Sequence, residues 1–421
     1  MASSRYGRMK LSAEKQALLQ RLLQQQGLTA QTEQKSIQRE QTVPLSFAQQ
    51  RVWFLHQIEP TSSNFHMLTG LRLLGDLHVD ALEASLNEMI RRHDILRTTF
   101  PVVHGSPVQH IGPAYTLKLE PVVLVNLSEQ EQKQEIIRTI RKDKQKPFHL
   151  ESGPLLRVYL FATRENEHIL FLSLHHIIAD AWSMGILSQE LSQLYDAFVN
   201  ERPSPLPPLA VQYADFVQWQ QERVQGERGN AQLHYWLQRL SDSPAPLALP
   251  TDHPRHARQG YSGHTFSFTL DAALHEKLIA LCQREGVTLV MLMLAAFQVL
   301  LSRYTGQEDI AVGLPVSNRT RTDFEPLIGN FVNTVVIRAD LKENPTFRTI
   351  LQRVKADALD AYSNQDIPFE RVVEALRPVR DPGRTVLFQV LFSLQNAYRE
   401  QELTGLVCLP FEVEDNAFYG E

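Results

Sequence analysis

Cysteine is scarce in this 421-residue chain: there are two, Cys282 and Cys408, far apart in the sequence. That leaves no disulfide framework and no Cys-x-x-Cys motif, and it suits a reducing compartment. Cys282 falls on the apolar face of a predicted helix and reads as an inert core thiol rather than a nucleophile. No apolar run reaches about 18 residues, so no membrane span is expected. The longest such stretch, Val287 to Leu301, is interrupted by Thr288 and Gln298 and reads as a buried helix. Met1 to Lys10 is polar and basic with no apolar segment behind it, unlike a secretion signal, so a cytoplasmic location is expected. Neither sign of charge dominates. Forty-two Lys and Arg against 47 Asp and Glu give a net charge of −5, which carries no nucleic-acid signature. No His-Glu-x-x-His occurs, and no metal centre is expected. What is present, 43% hydrophobic and 21% charged residues, is the composition of a globular protein.

The length predicts two lobes of about 200 residues. Residues 11–27 read as a short amphipathic helix, with Ser12 as N-cap and Gly27 as stop; residues 28–42 are polar and Gln-rich. Together, 1–42 form an N-terminal helix and linker. A first lobe is expected over 43–208 and a second over 209–421. The break between them is Pro203-Ser204-Pro205-Leu206-Pro207-Pro208, a stiff extended segment. In the first lobe, helices are predicted near 79–92, with Leu82, Leu86, Met89 and Ile90 as buried stripe, and near 183–200. In the second, helices are predicted near 271–285 and 288–304, the latter opened by Thr288 and closed by Gly306. Strands are predicted at 263–269, 309–314 and 332–338. Each lobe mixes helix and strand, an α/β (α+β) class.

The most informative stretch is His175-His176-Ile177-Ile178-Ala179-Asp180-Ala181-Trp182-Ser183. The run before it, His168 to Leu174, reads as a buried strand. After it, Ile186, Leu187, Leu191, Leu194, Tyr195 and Phe198 have helical spacing. The histidines are thus placed at a strand-to-helix turn. If the strand alternation continues, His176 shares a face with Leu170, Leu172 and Leu174, and His175 takes the other. A histidine there can take or hold a proton at working pH. The residues alone also allow a structural pair, with Asp180 a simple helix cap. Adjacent histidines on opposite faces do not converge on one ion.

Further segments share the weight. Leu45-Ser46-Phe47-Ala48-Gln49-Gln50-Arg51-Val52-Trp53-Phe54-Leu55 stands near the start, followed by Arg92-His93-Asp94-Ile95-Leu96-Arg97-Thr98-Thr99-Phe100. Tyr213-Ala214-Asp215-Phe216-Val217-Gln218-Trp219 and Gly313-Leu314-Pro315-Val316-Ser317-Asn318-Arg319 come next. Ile328-Gly329-Asn330-Phe331-Val332-Asn333-Thr334, Asn364-Gln365-Asp366-Ile367-Pro368-Phe369-Glu370 and Arg380-Asp381-Pro382-Gly383-Arg384 follow. In this order, and with His-His-x-x-x-Asp-x-Trp-Ser between them, the chain resembles the condensation domains of nonribosomal peptide synthetases. These belong to the chloramphenicol acetyltransferase-like superfamily. The resemblance runs from about residue 44 to about residue 400. Three positions depart from the family pattern: Ala181 where glycine is usual, His149 in place of an aspartate, and Gly383 in place of a serine. Alanine is the smallest change possible at the first, so retained activity is expected.

The resemblance implies two chloramphenicol acetyltransferase-like lobes in a V-shaped pseudodimer, with an active-site tunnel between them. It implies amide bond formation: the α-amine of an acceptor aminoacyl thioester attacks a donor acyl or peptidyl thioester. Both substrates arrive on 4'-phosphopantetheine arms, so no bound cofactor is expected. The implied partners are upstream donor and downstream acceptor peptidyl carrier proteins and an adjoining adenylation domain, around a monomeric chain excised from a larger synthetase. His176 is the implied catalytic residue, as positioner of the amine and acceptor of its proton. His175 is read as structural, Asp180 as half of a buried ion pair with Arg319, and Arg92 and Arg97 as structural motif positions. Ala181, Trp182, Ser183, Ser317 and Asn333 are assigned to the substrate tunnel. The rings of Trp53, Trp182 and Trp219 are read as core rather than substrate platforms. Arg91, Arg92, Arg138, Arg141, Lys142 and Lys144 form the densest basic cluster for carrier docking, or else an ordinary solvated surface. The opening and histidine motifs most resemble the subtype joining an L-donor to an L-acceptor. Alternatives are an epimerization domain, a coenzyme A-dependent acyltransferase, a starter domain with a fatty acyl donor, and a non-catalytic recruitment domain.

Overall fold

The computed structural model describes residues 43–242, 246–253, 263–378, 384–395 and 402–411. The expected helix at 11–27, the linker at 28–42 and the Arg380–Gly383 part of the last motif lie outside them. The described chain opens with strand β1 (Val43–Pro44), helix α1 (Phe47–Ile58), β2 (His66–Leu74) and α2 (Val79–Arg92). Short strands β3 (Thr98–Thr99), β4 (Val102–Val103), β5 (Ser106–Ile111) and β6 (Val122–Val123) lead to α3 (Glu129–Gln145). Strands β7 (Leu156–Arg164) and β8 (Glu167–His175) and helix α4 (Ala181–Val199) then build the histidine turn. Helices α5 (Tyr213–Gln225), α6 (Glu227–Leu240), α7 (Ala272–Glu285) and α8 (Leu289–Thr305) follow. After them come β9 (Asp309–Val316), β10 (Asn333–Asp340), α9 (Phe347–Ser363), α10 (Phe369–Leu376), β11 (Glu402–Leu403) and β12 (Leu406–Pro410).

The largest sheet has the order β11-β12-β2-β8-β7-β6. Its central strand, β8, runs antiparallel to β2 and β7, with His175 opposite His66 and Leu174 opposite Leu156. Every residue of β8 is buried. That explains its near-continuous apolar run, since both faces of the strand are covered. Helices α2 and α4 pack together, and α2 contributes Leu82, Leu86, Met89 and Ile90 to the core. Strands β9 and β10 pair antiparallel, and α8 and α9 pack against them. Thr288 caps α8 and Gly306 closes it in the left-handed conformation, φ 70°, a geometry that costs glycine little.

Two large cores result, and their membership does not follow a cut at residue 208. The first takes residues from Leu45 to Val217, but also Phe324, Leu327, Ile328 and Phe331 from the loop before β10, and Leu403 and Leu406 near the end. The second runs from Val224 to Val372. Helix α5 spans the change: Phe216 and Val217 belong to one core, Val224 to the other. The proline-rich segment is not a free spacer. Leu206 packs on the first core, and the Pro207 carbonyl accepts a hydrogen bond from Arg92.

The predicted helices at 79–92, 183–200, 271–285 and 288–304 and the strands at 309–314 and 332–338 are found with ends shifted by one or two residues. The strand predicted at 263–269 is not. Phe266 and Phe268 are 87% and 75% exposed, and no described strand pairs with the segment. Alternation marks a face, but a strand also needs an edge to bond to.

Candidate active site

The histidine turn is built by main-chain hydrogen bonds. Strand β8 stops at His175, and the His176 N–H donates to the Phe65 carbonyl at 2.7 Å. The Ile178 N–H returns to the His175 carbonyl at 3.0 Å. The strand therefore ends one residue earlier than alternation predicts. His176 does not share the Leu170–Leu174 face but projects from the turn. Asp180 then starts α4 as its N-cap, accepting from the Ser183 N–H at 2.8 Å.

His175 is fully buried. Its Nδ1 accepts the Ile177 N–H at 3.1 Å, which puts any ring proton on Nε2. The ring sits among His56 (5.3 Å between centroids), Phe148 (5.8 Å), Phe65 (6.0 Å) and His66 (6.3 Å). Burial, then the cost of a second positive charge beside His56, His66 and Arg157, pushes its pKa far below the ordinary histidine value. Burial likewise lowers His56 and His168, and takes His66 down to about 4. His175 is thus a neutral packing residue.

These four buried histidines have a measurable consequence. Their folded pKa values lie below 6.5, so the unfolded chain binds more protons as pH falls through 6.5. Stability is fully present above that point and is lost below it, down to about pH 4 for His66. Each proton contributes a slope of about 1.4 kcal/mol per pH unit. Urea midpoints at pH 7.5, 6.5 and 5.5 should change little over the first unit and fall clearly over the last. A flat profile would contradict the neutral cluster.

Asp180 and Arg319, each with a side chain 1% exposed, form a buried ion pair at 3.1 Å. Arg319 Nη2 reaches both carboxylate oxygens and Ser183 Oγ. Its Nη1 donates to the carbonyls of Phe324 and Leu327 at 2.8 and 2.7 Å, and its guanidinium lies 3.8 Å over the Phe331 ring. Asp180 Oδ2 also accepts the Phe331 N–H at 3.1 Å. The resemblance assigns Ser183 to the tunnel, but it is fully buried. Its hydroxyl accepts from the Gly329 N–H at 3.0 Å. Its one proton serves Asp180 Oδ1 at 2.7 Å, with the Gly329 carbonyl at 2.9 Å as alternative. Ser183 thus ties the start of α4 to the 329–331 segment rather than lining a channel. Gly329 is needed for this approach: a Cβ there would meet the Tyr213 ring at 2.0 Å.

The other motif arginines stand elsewhere. Arg92 pairs with Glu190 at 3.0 Å between α2 and α4, and His93 meets the same carboxylate at 2.7 Å. Arg97 pairs with Asp94 at 2.5 Å and bonds the Gly112 carbonyl. Trp182 is 48% exposed, with its Nε1 donating to the Glu325 carbonyl at 3.1 Å. It is therefore not a core residue, unlike Trp53 and Trp219, which pack on the first core. Ala181 and Ser317 are exposed.

His176 is half-buried and faces a cleft with about 450 Å³ between its walls, counting the part open to solvent. Ala48, Arg51, Val52 and Phe65 line one side, and Asn330, Val332, Asn333, Thr334 and Glu370 the other. Asn333 holds the second wall in place. Its amide donates to the Gln365 and Ile367 carbonyls, and its Oδ1 accepts the Thr334 and Phe369 N–H groups. The cleft brings together His176 and Asn333 but not Ala181, Trp182, Ser183 or Ser317. Sequence reasoning does not single out Arg51, Asn330 and Glu370, although each lies inside a quoted motif. Among the described residues no group of three or more His, Cys, Asp or Glu side chains is placed to hold a metal. No single helix among them is long and apolar enough to cross a membrane.

A family model, that of the condensation domain, matches residues 39–408. The chain belongs to the condensation-domain family. The family's general function is peptide bond formation between carrier-tethered substrates in nonribosomal peptide synthesis. The condensation domain is 42% identical over 382 residues to malpinin synthetase of Mortierella alpina, covering 90% of this chain and 5% of that protein. It is 45% identical over 386 residues to chondramide synthase cmdD of Chondromyces crocatus, covering 91% and 10%. The chain thus spans a tenth or less of these relatives. Among solved structures, the X-domain from teicoplanin biosynthesis superposes with a TM-score of 0.80 at 31% identity, covering 91% of this chain and 85% of that one. The first condensation domain of the calcium-dependent antibiotic synthetase, in complex with a substrate analogue, gives 0.75 at 20% identity, covering 88% and 84%. The fold is that of the chloramphenicol acetyltransferase-like condensation domains.

Proposed function

We propose that this condensation domain uses the cleft before His176 to join a donor acyl or peptidyl thioester to the α-amine of an acceptor aminoacyl thioester. The amine nitrogen attacks the thioester carbonyl carbon, and the tetrahedral intermediate collapses with loss of the thiolate. His176 takes the amine's proton as the bond forms and returns it to the thiolate, so one amide and one thiol result. The observation that carries this is the position of His176: the turn projects it into a cleft between two walls, while Asp180 and Arg319 brace the turn from behind.

Magnitudes set the histidine's role. An α-amine has a pKa near 7.7–8.0, so deprotonation near neutrality costs under about 1 kcal/mol. Orienting two tethered reactants is worth roughly 7–11 kcal/mol. His176 is therefore a positioner and proton carrier more than a strong base. Both substrates are read as arriving on phosphopantetheine arms of carrier proteins, next to an adenylation domain, and as an L-donor and an L-acceptor. The deciding experiment offers defined donor and acceptor carriers loaded with acyl panels and identifies products by mass. Absence of any amide product from every pairing would refute the reading.

Docking of one carrier is assigned to α3. Arg138 there is neutralised by Glu135 at 2.6 Å, whereas Arg141 and Lys142 are exposed. Reversing Arg138, Arg141 and Lys142 together should raise KM for one loaded carrier and leave a small soluble thioester unaffected. Equal loss with both substrates would mean damage to the fold instead.

A second reading has its own support. The similar X-domain is also solved in a complex with OxyB, so a recruitment domain is the alternative. Under that reading the loaded carriers give no amide, and the domain instead retains an accessory enzyme on gel filtration.

A further inference from the structure

The cleft holds charged and polar groups that no described hydrogen bond or ion pair between side chains uses, the Glu370 carboxyl and the Arg51 guanidinium among them. Glu370 stands in the first turn of α10 and lines the cleft together with Arg51 of α1. Among the described residues neither side chain has an ion-pair or hydrogen-bond partner apart from the Glu370 carboxylate's bond with its own main-chain N–H. Asn330 lines the same cleft, and its Oδ1 is buried without a hydrogen-bond partner among the described residues. His176 adds an imidazole: its Nδ1 is buried and unpartnered, which leaves Nε2 as the nitrogen open to a ligand. Burial raises the Glu370 pKa, and the Arg51 charge opposes the rise. The helix N-terminus also favours the ionised form. The Glu370 carboxyl and the His176 imidazole thus belong to one cleft.

An α-ammonium group is the complement of this set. It carries one positive charge and three N–H donors, and the cleft offers it the Glu370 carboxyl and the His176 imidazole, with the Arg51 guanidinium beside them. A hydroxyl has one donor and no charge. We propose that Glu370 is a specificity-determining residue that recognises the acceptor's α-amino group, selecting α-amino over α-hydroxy thioesters and presenting the nitrogen to His176. The proposal rests on the reading of this cleft as the condensation site.

The test uses the whole chain and non-reactive thioether analogues of the acceptor, one aminoacyl and one deamino, titrated by calorimetry. Wild type should lose at least tenfold in affinity when the amine is removed. Glu370→Gln should bind both analogues alike, and Glu370→Asp should recover part of the difference. In turnover, Glu370→Gln should raise the acceptor KM at least tenfold with kcat within about threefold, and should leave the donor KM unchanged. The KM of a 2-hydroxyacyl acceptor should not change. Wild-type discrimination preserved in Glu370→Gln, or equal loss with amino and hydroxy acceptors, overturns the proposal. The binding cycle needs no catalysis, so a wild type that makes no amide would refute the condensation reading without touching the binding result.

Discussion

His176→Ala is expected to lower amide formation between loaded carriers by at least about a hundredfold, the scale of a lost proton-transfer group with its positioning. The fold should survive. His176 is half-buried, its main-chain bond to Phe65 does not need the imidazole, and its Nδ1 holds no described partner. Circular dichroism and melting temperature should match wild type. His175→Ala should do the opposite, losing stability first, because it empties a packed space between His56, His66 and Phe148. Turnover of His176→Ala within tenfold of wild type, with an intact fold, would remove the histidine from the centre of the reaction.

Asp180→Ala should act through stability. It strands Arg319 in a site where both side chains are 1% exposed, and it leaves the Ser183 and Phe331 N–H groups without their acceptor. Breaking a buried pair from one side typically costs about 3–5 kcal/mol, about 3–6 °C in melting temperature for a chain of this length. Asp180→Asn, which keeps an acceptor for the N–H groups but no charge, should fall between. Lost activity with an unchanged melting temperature would instead identify a carboxylate acting directly on substrate.

The histidine turn was legible because its signals are local: a buried strand, then a capping aspartate, then helical spacing. The end of the strand was not, and one residue of difference moved His176 off the predicted face. The Asp180–Arg319 pair came from motif resemblance. No spacing rule links positions so far apart in the sequence, and the pair forms because the 324–331 loop leaves the second half to pack in the first core. The wrong assignments share a cause. Ser183 and Trp182 are neighbours of the motif in sequence, but the helix turns one inward to a hub and the other out to solvent. Arg51, Asn330 and Glu370 reach the same cleft from three separate segments, and no single window of sequence contains their juxtaposition.

The hub has a consequence for the order of assembly. Asp180 must wait for Arg319, 139 positions later, and for Phe331 beyond it. Closing so long a loop is entropically costly until flanking structure has formed. During synthesis at about 5–20 residues per second, the turn emerges roughly 7–28 seconds before its anchor. Through that interval the turn has its bonds to Phe65 and β2, but the Asp180 carboxylate lacks its counter-charge. Competence to react arrives at the end, when the returning loop locks the turn.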